Sequence, residues 1–174
     1  MLERIWSGWR SSYVDGATVR RGPEADDAPA AGSVFTRLLE SGADDETTHI
    51  VHRSATCFVV VNIFPYTSGH VLVVPYREVA DLMDLSAEES ADLWATVTAT
   101  VDVVRRAYRP DGMNVGLNLG RPSGGSVPEH LHVHVVPRWT GDSNFMTAIS
   151  NTQTLPESIH DTAARLRRAW REAE

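Results

Sequence analysis

From His130 to Arg138 the chain reads His-Leu-His-Val-His-Val-Val-Pro-Arg. Its first six positions alternate polar and apolar, the pattern of a β-strand with one wet face and one buried face. At a rise of about 3.3 Å per residue, the imidazoles of His130, His132 and His134 would project from the same face, with successive Cα atoms roughly 6.5–7 Å apart. A purely structural strand gains nothing from three titratable rings in a row, since each is costly to bury without a hydrogen bond. The run therefore predicts a strand and a functional site together.

The 174 residues, 42% apolar and 22% charged, suffice for one proper core and not for two. The expected layout is a single domain over 1–174, with an N-terminal helix and mobile arm in 1–32, a catalytic core in 48–139 and a C-terminal extension in 140–174. A net charge of −7 argues against binding to nucleic acid polymers or acidic membranes. An anionic substrate must then be held by local donors such as backbone N–H groups, Arg side chains and helix N-termini. The single cysteine, Cys57, lies in the apolar run Cys57–Val61 and reads as a small buried hydrophobe. A lone thiol, no leader-like apolar segment at the N-terminus and no membrane-length apolar run together predict a cytoplasmic protein.

Leu2, Ile5, Trp6, Trp9 and Tyr13 fall at helical spacing, which predicts a short amphipathic helix over 2–14. Residues 15–32 read as a mobile arm. Ser33 can cap a short helix ending near Gly42, and Asp44-Asp45-Glu46 reads as a solvated acidic turn. Thr48–Arg53, Cys57–Asn62, His70–Pro75, Met113–Leu119 and His130–Arg138 are the predicted strands. Ser86 with Glu89 forms a capping box that opens a long helix to about Tyr108. A last helix is expected from about Pro156 to Trp170. Met83, Leu85, Leu93 and Trp94 read as core, and His49, His52 and His160 as exposed. Short strands joined by tight loops around one long helix predict an α+β fold: an antiparallel sheet of about five strands covered on one face by that helix and by N- and C-terminal helices.

Two chemistries call for several histidines on one strand face. A metal site is disfavoured because the outer pair would lie ~13 Å apart and Zn–N bonds are ~2.0–2.1 Å, so no metal is expected. Nucleophilic attack on phosphorus fits better: an imidazole with a pKa near 6.5 is neutral and nucleophilic near pH 7. Upstream lies Gly120-Arg121-Pro122-Ser123-Gly124-Gly125-Ser126, a loop whose backbone N–H groups and Ser126 hydroxyl could cradle a phosphate.

The His-x-His-x-His-x-x run resembles the signature of the histidine triad (HIT) family of nucleotide hydrolases and transferases. Asn62-Ile63-Phe64-Pro65 and Gly69–Pro75 resemble the family's ribose-binding strand and loop, and Gly116–Gly120 the strand carrying a phosphate-contacting Asn. The segment from Pro137 to Phe145 and the Trp-rich N-terminus most resemble a bacterial branch of the family that includes a diadenosine tetraphosphate phosphorylase. The resemblance implies that His132 attacks an α-phosphate to form a covalent nucleotidyl-imidazole, with His130, His134 and His70 orienting it. It also implies phosphate contacts from Asn118, Gly125 and Ser126, a ribose contact from Asn62, and base contacts from Ile63 and Phe64. Arg121 and Arg138 are candidates for the distal phosphates, and Trp139 for base stacking or a subunit interface; Arg138 could equally pair with Asp142. Two positions depart from the family pattern: Gly125 stands where many members have Gln, and Glu129 is an extra residue before the first His.

The activity implied is cleavage of an adenine dinucleotide polyphosphate at the α-phosphate. Inorganic phosphate as acceptor would give ADP and ATP; water is the other possible acceptor. Hydrolysis of nucleoside phosphoramidates or acyl-adenylates is the alternative reaction, and a non-enzymatic nucleotide-binding regulatory module the alternative class. No cofactor is required, Mg²⁺ entering only with the polyphosphate. The expected partner is a second copy of the chain, in a homodimer or larger homo-oligomer.

Overall fold

A computed structural model describes residues 32–142 and 157–173. The expected helix over 2–14, the arm up to residue 31, Asn144, Phe145 and Pro156 lie outside the described residues.

Five strands form one antiparallel sheet: β1 (Ile50–Arg53), β2 (Cys57–Val61), β3 (Val71–Pro75), β4 (Gly112–Leu117) and β5 (Val133–Arg138), in the order β1-β2-β3-β5-β4. Valine supplies most of β2 and β3, and its branched side chain packs well on a pleated surface. Every residue of those two strands is buried, because both faces of the sheet are covered. Side-chain alternation sorts them into two layers. On one face Val59, Val61, Val71, Val73, Val133 and Val135 pack with helices α3 (Ala87–Tyr108) and α4 (Ile159–Arg171), through Leu93, Val97, Val104, Ala163 and Leu166. On the other, Phe58, Val60, Leu72 and Val74 pack against Phe35 of helix α1 (Val34–Glu40). The expected α+β sheet is present, but helices cover both faces rather than one.

Caps set the helix starts. Ser33 Oγ accepts the Thr36 N–H at the start of α1. Ser86 and Glu89 form the reciprocal capping box of α3, which ends at Arg109 in a left-handed conformation just before Pro110. Asp44 caps α2 (Asp45–Thr48), so the acidic segment is a helical turn in which Asp45 also pairs with Arg53 at 2.7 Å. The last helix begins at Ile159 because Ser158 caps it, later than the proline had suggested. Asp92 fastens α3 to the β1–β2 turn, accepting from Ser54 Oγ, Thr56 N and Thr56 Oγ1 at 2.7–2.8 Å.

Four side chains depart from expectation. Leu93 is core and Leu85 packs against it, but Met83 is 88% exposed and Trp94 is also exposed. His52 is half-buried, stacked face to face on Trp170 with centroids 3.8 Å apart, and His49 is half-buried at the left-handed end of α2. His160 is exposed, as expected. Among the described residues, no helix is long and apolar enough to cross a membrane.

Candidate active site

The histidine run is only partly a strand. β5 begins at Val133, where both neighbours stop pairing: Val133 faces Val73 of β3 and Leu117 of β4. Ahead of it the backbone leaves the ladder, and Leu131 N–H donates to Val79 O. His130 and His132 therefore precede the strand and are buried, at 0% and 6% exposure, instead of lining a wet face. The three rings still gather on one side, the face that carries α1. Phe35 lies 5.4 Å from the His130 ring and 5.3 Å from that of His132, and His132 lies 5.0 Å from His134.

Hydrogen bonding assigns the proton on each ring. His130 Nε2 lies 2.8 Å from Pro75 O, which can only accept, so Nε2–H donates and Nδ1 is bare. His132 Nδ1 lies 2.8 Å from His130 O, so Nδ1–H donates and Nε2 keeps its lone pair. That Nε2 has no hydrogen-bond partner among the described residues. The Tyr66 N–H donates to His70 Nδ1 at 3.0 Å, which puts the His70 proton on Nε2. His70 Nε2–H donates in turn to His134 Nδ1 at 2.9 Å, leaving the His134 proton on Nε2. This Nε2–H is buried without an acceptor among the described residues. A buried donor left unpaired costs about 1–3 kcal/mol, so it is primed for an incoming oxygen.

Burial depresses all four imidazoles. His70 is pushed down to about 3 and His134 to about 4, chiefly by burial and then by neighbouring histidines. His130 and His132 are also lowered by burial, opposed by the His130–Pro75 and His132–His130 carbonyl bonds. The site is thus neutral at pH 7, the state a nitrogen nucleophile requires. A consequence follows for stability. The unfolded chain takes up protons below pH ~6.5, while these rings resist protonation down to about pH 4 for His134 and about 3 for His70. Stability should be flat from these groups above pH 6.5 and fall as pH drops below it, at about 1.4 kcal/mol per unit for each buried His. Urea titrations between pH 5 and 7.5 check this, because carboxylates contribute only at lower pH. A slope unchanged in His70→Gln would contradict it.

The other candidates are unevenly gathered. Asn62 Nδ2 lies 3.4 Å from both ring nitrogens of His70, while its Oδ1 accepts the Phe64 N–H. Ile63 and Phe64 are exposed, Phe64 at 80%. Asn118 sits against Gly125, where a Cβ would come within 3.1 Å of the Asn118 Cβ, so a larger residue there would require Asn118 to shift. Arg121 stands in a turn of 3-10 helix (Arg121–Ser123), closed by the Gly124 N–H donating to its carbonyl, and its side chain is exposed like that of Ser126; neither side chain has a hydrogen-bond partner among the described residues. Arg138 forms a bidentate pair with Asp142 at 2.6 and 2.7 Å and also donates to Asn114, so it braces the end of β5. Trp139 meets Tyr108 edge-on at 6.3 Å. Among the described residues no group of His, Cys, Asp and Glu is placed to hold a metal ion. Sequence reading passed over Phe35, Tyr66 and Glu78. Tyr66 stacks 4.9 Å from His70, and Glu78 accepts from Ser33 and Thr36.

The HIT domain family matches residues 44–141, more than half of the chain. The chain belongs to the HIT domain family. It is 43% identical over 169 residues, 97% of its length, to the AP-4-A phosphorylase of Mycobacterium tuberculosis, covering 85% of that protein. It is 35% identical over 95 residues to the asymmetrical bis(5'-nucleosyl)-tetraphosphatase of Schizosaccharomyces pombe, covering 55% of this chain and 52% of that one. Among solved structures, a Hit-like protein from Bartonella henselae superposes with a TM-score of 0.65 over 79% of this chain and 96% of that one; at 24% identity it speaks for the HIT fold alone.

Proposed function

We propose that this HIT protein is a nucleotidyl transferase that cleaves adenine dinucleotide polyphosphates by phosphorolysis. The observation that carries the reading is the tautomer of His132: the carbonyl of His130 holds its Nδ1–H and leaves a neutral Nε2 lone pair without a partner among the described residues. In the first step Nε2 attacks the α-phosphorus. The N–P bond forms as the P–O bond to the polyphosphate breaks, and the electron pair leaves on the departing oxygen. A polyphosphate is already a weak base, so this step needs charge stabilisation more than a strong acid. The His134 Nε2–H, which has no acceptor among the described residues, supplies a donor for that oxygen, backed by the relay from Tyr66 N–H through His70. In the second step a phosphate oxygen attacks the nucleotidyl-imidazole, the N–P bond breaks, and His132 regains its lone pair. Asn62, Ile63 and Phe64 would hold the nucleoside, and Asn118, Gly125 and Ser126 the α-phosphate. Mg²⁺ would arrive only with the substrate.

The likeness to an AP-4-A phosphorylase across 97% of the chain supports phosphate over water as acceptor. Incubation with diadenosine tetraphosphate should yield ADP and ATP in the presence of inorganic phosphate and little product without it. AMP and ATP irrespective of phosphate would show water to be the acceptor, and no turnover at all would sink the reading. We further assign a second copy of the chain as partner, pairing along β4. Among the described residues that strand is a sheet edge with Val115 exposed, and edges of this kind invite such pairing. The active preparation should sediment as a dimer or larger; a monomer would refute this part.

A further inference from the structure

Helix α1 precedes the histidine run by almost a hundred residues, yet its first turn is locked onto it. Ser33 Oγ lies 2.6 Å from His130 Nδ1, and Thr36 Oγ1 lies 3.1 Å from Ser33 Oγ. Glu78 Oε2 receives the Ser33 N–H at 2.7 Å and the Thr36 hydroxyl at 2.6 Å. One proton arrangement fits the bonds to Glu78 and His130, and it leaves the Ser33–Thr36 hydroxyl pair in contact without a shared proton. A carboxylate only accepts, so Thr36 gives its single hydroxyl proton to Glu78. The bare Nδ1 of His130 only accepts, so Ser33 gives its own proton to His130, while Ser33 Oγ still accepts the Thr36 N–H as the helix cap. Phe35, between the two hydroxyl residues, packs on the rings of both His130 and His132.

From this geometry we infer that Ser33, supported by Glu78, is a positioning residue for the nucleophile, acting through His130. Ser33 and Pro75 O grip opposite nitrogens of the His130 ring, and that ring anchors the residue whose carbonyl sets the tautomer of His132. The role lies outside the residues that would touch substrate. It rests on the reading of His132 as nucleophile. Without the Ser33 hydroxyl, His130 Nδ1 becomes a buried acceptor with no donor, and the ring and its carbonyl are free to shift.

The test compares Ser33→Ala with Ser33→Thr, which keeps both hydroxyl and cap. In Ser33→Ala, kcat per folded molecule should fall about tenfold with KM within about twofold, the usual scale for losing a residue that orients a reacting group. The ring ¹⁵N shifts of His132 should change from a single Nδ1–H tautomer to a mixture. Ser33→Thr should restore both readouts. A merely structural cap would lower the melting temperature without splitting kcat from KM. Wild-type kcat and tautomer in Ser33→Ala, or a Ser33→Thr variant as slow as Ser33→Ala, would overturn the inference. Should Ser33→Ala fail to fold, Glu78→Ala, altering an exposed side chain, should cut kcat about threefold at constant KM; an unchanged kcat there counts equally against it. His132→Ala run in parallel separates the two layers. If it retains turnover, the nucleophile reading fails and takes this inference with it. If it is inactive while Ser33→Ala runs at the wild-type rate, only the inference fails.

Discussion

His132→Ala should lower kcat with diadenosine tetraphosphate by about ten-thousand-fold or more, while nucleotide affinity changes by no more than a few-fold. Removing a nucleophile deletes the covalent pathway and leaves only what binding and positioning supply, which is why such losses far exceed those for orienting groups. Affinity should survive, because the residues proposed to hold base, ribose and phosphate lie on other segments: Asn62 to Phe64, Asn118, and Gly125 to Ser126. The substitution is also expected to fold. His132 packs against Phe35 and His134, but its Nε2 serves no structural bond among the described residues. Steady-state kinetics with calorimetric nucleotide binding checks this. A variant that keeps its turnover would mark the protein as one whose chemistry runs elsewhere, and one that loses affinity and activity together would point to a binding role for the ring.

A second large effect is expected one residue before His70. Gly69 has φ +84, in the left-handed region, and a Cβ there would sit 2.8 Å from Tyr108 Cε2 and 3.0 Å from Cδ2. The Tyr108 ring cannot easily yield, since its hydroxyl donates to Glu157 at 2.6 Å and the Arg165 guanidinium lies 4.9 Å over its face. Gly69→Ala therefore meets a backbone cost of about 1–2 kcal/mol and an overpacking cost of about 1–3 kcal/mol. Together these amount to roughly 3 kcal/mol, or a fall in melting temperature of roughly 6–12 °C for a chain of this size. His70 follows directly, so the relay to His134 should loosen as well, lowering kcat in the molecules that remain folded. Thermal denaturation followed by kinetics at low temperature measures both. A melting temperature within a degree or so of wild type would contradict the steric account.

Period-two and helical patterns made the sheet, the long helix and its Ser86–Glu89 cap legible in the sequence, because those signals are local. The gathering of the three histidines was legible for the same reason. Where the strand begins was not: β5 starts at Val133 because β3 and β4 stop pairing there, a fact about partners far away in the chain. Ser33 could be read as a helix cap, but nothing nearby in sequence shows that its hydroxyl also faces His130. Glu78 carries no pattern at all. Met83 and Trp94 misled because apolar side chains are common on surfaces, so hydrophobicity alone does not imply burial. His52 misled in the opposite direction, since its stacking partner Trp170 comes from the last helix.

Rapid acid-free quenching during turnover of diadenosine tetraphosphate, followed by mass analysis of the intact protein and its peptides, tests the central claim most directly. In the absence of phosphate an adenylyl group should accumulate on the peptide containing His132, and adding phosphate should discharge it as ADP. Product formation with no adenylylated protein at any time, or a label on another residue, would contradict it.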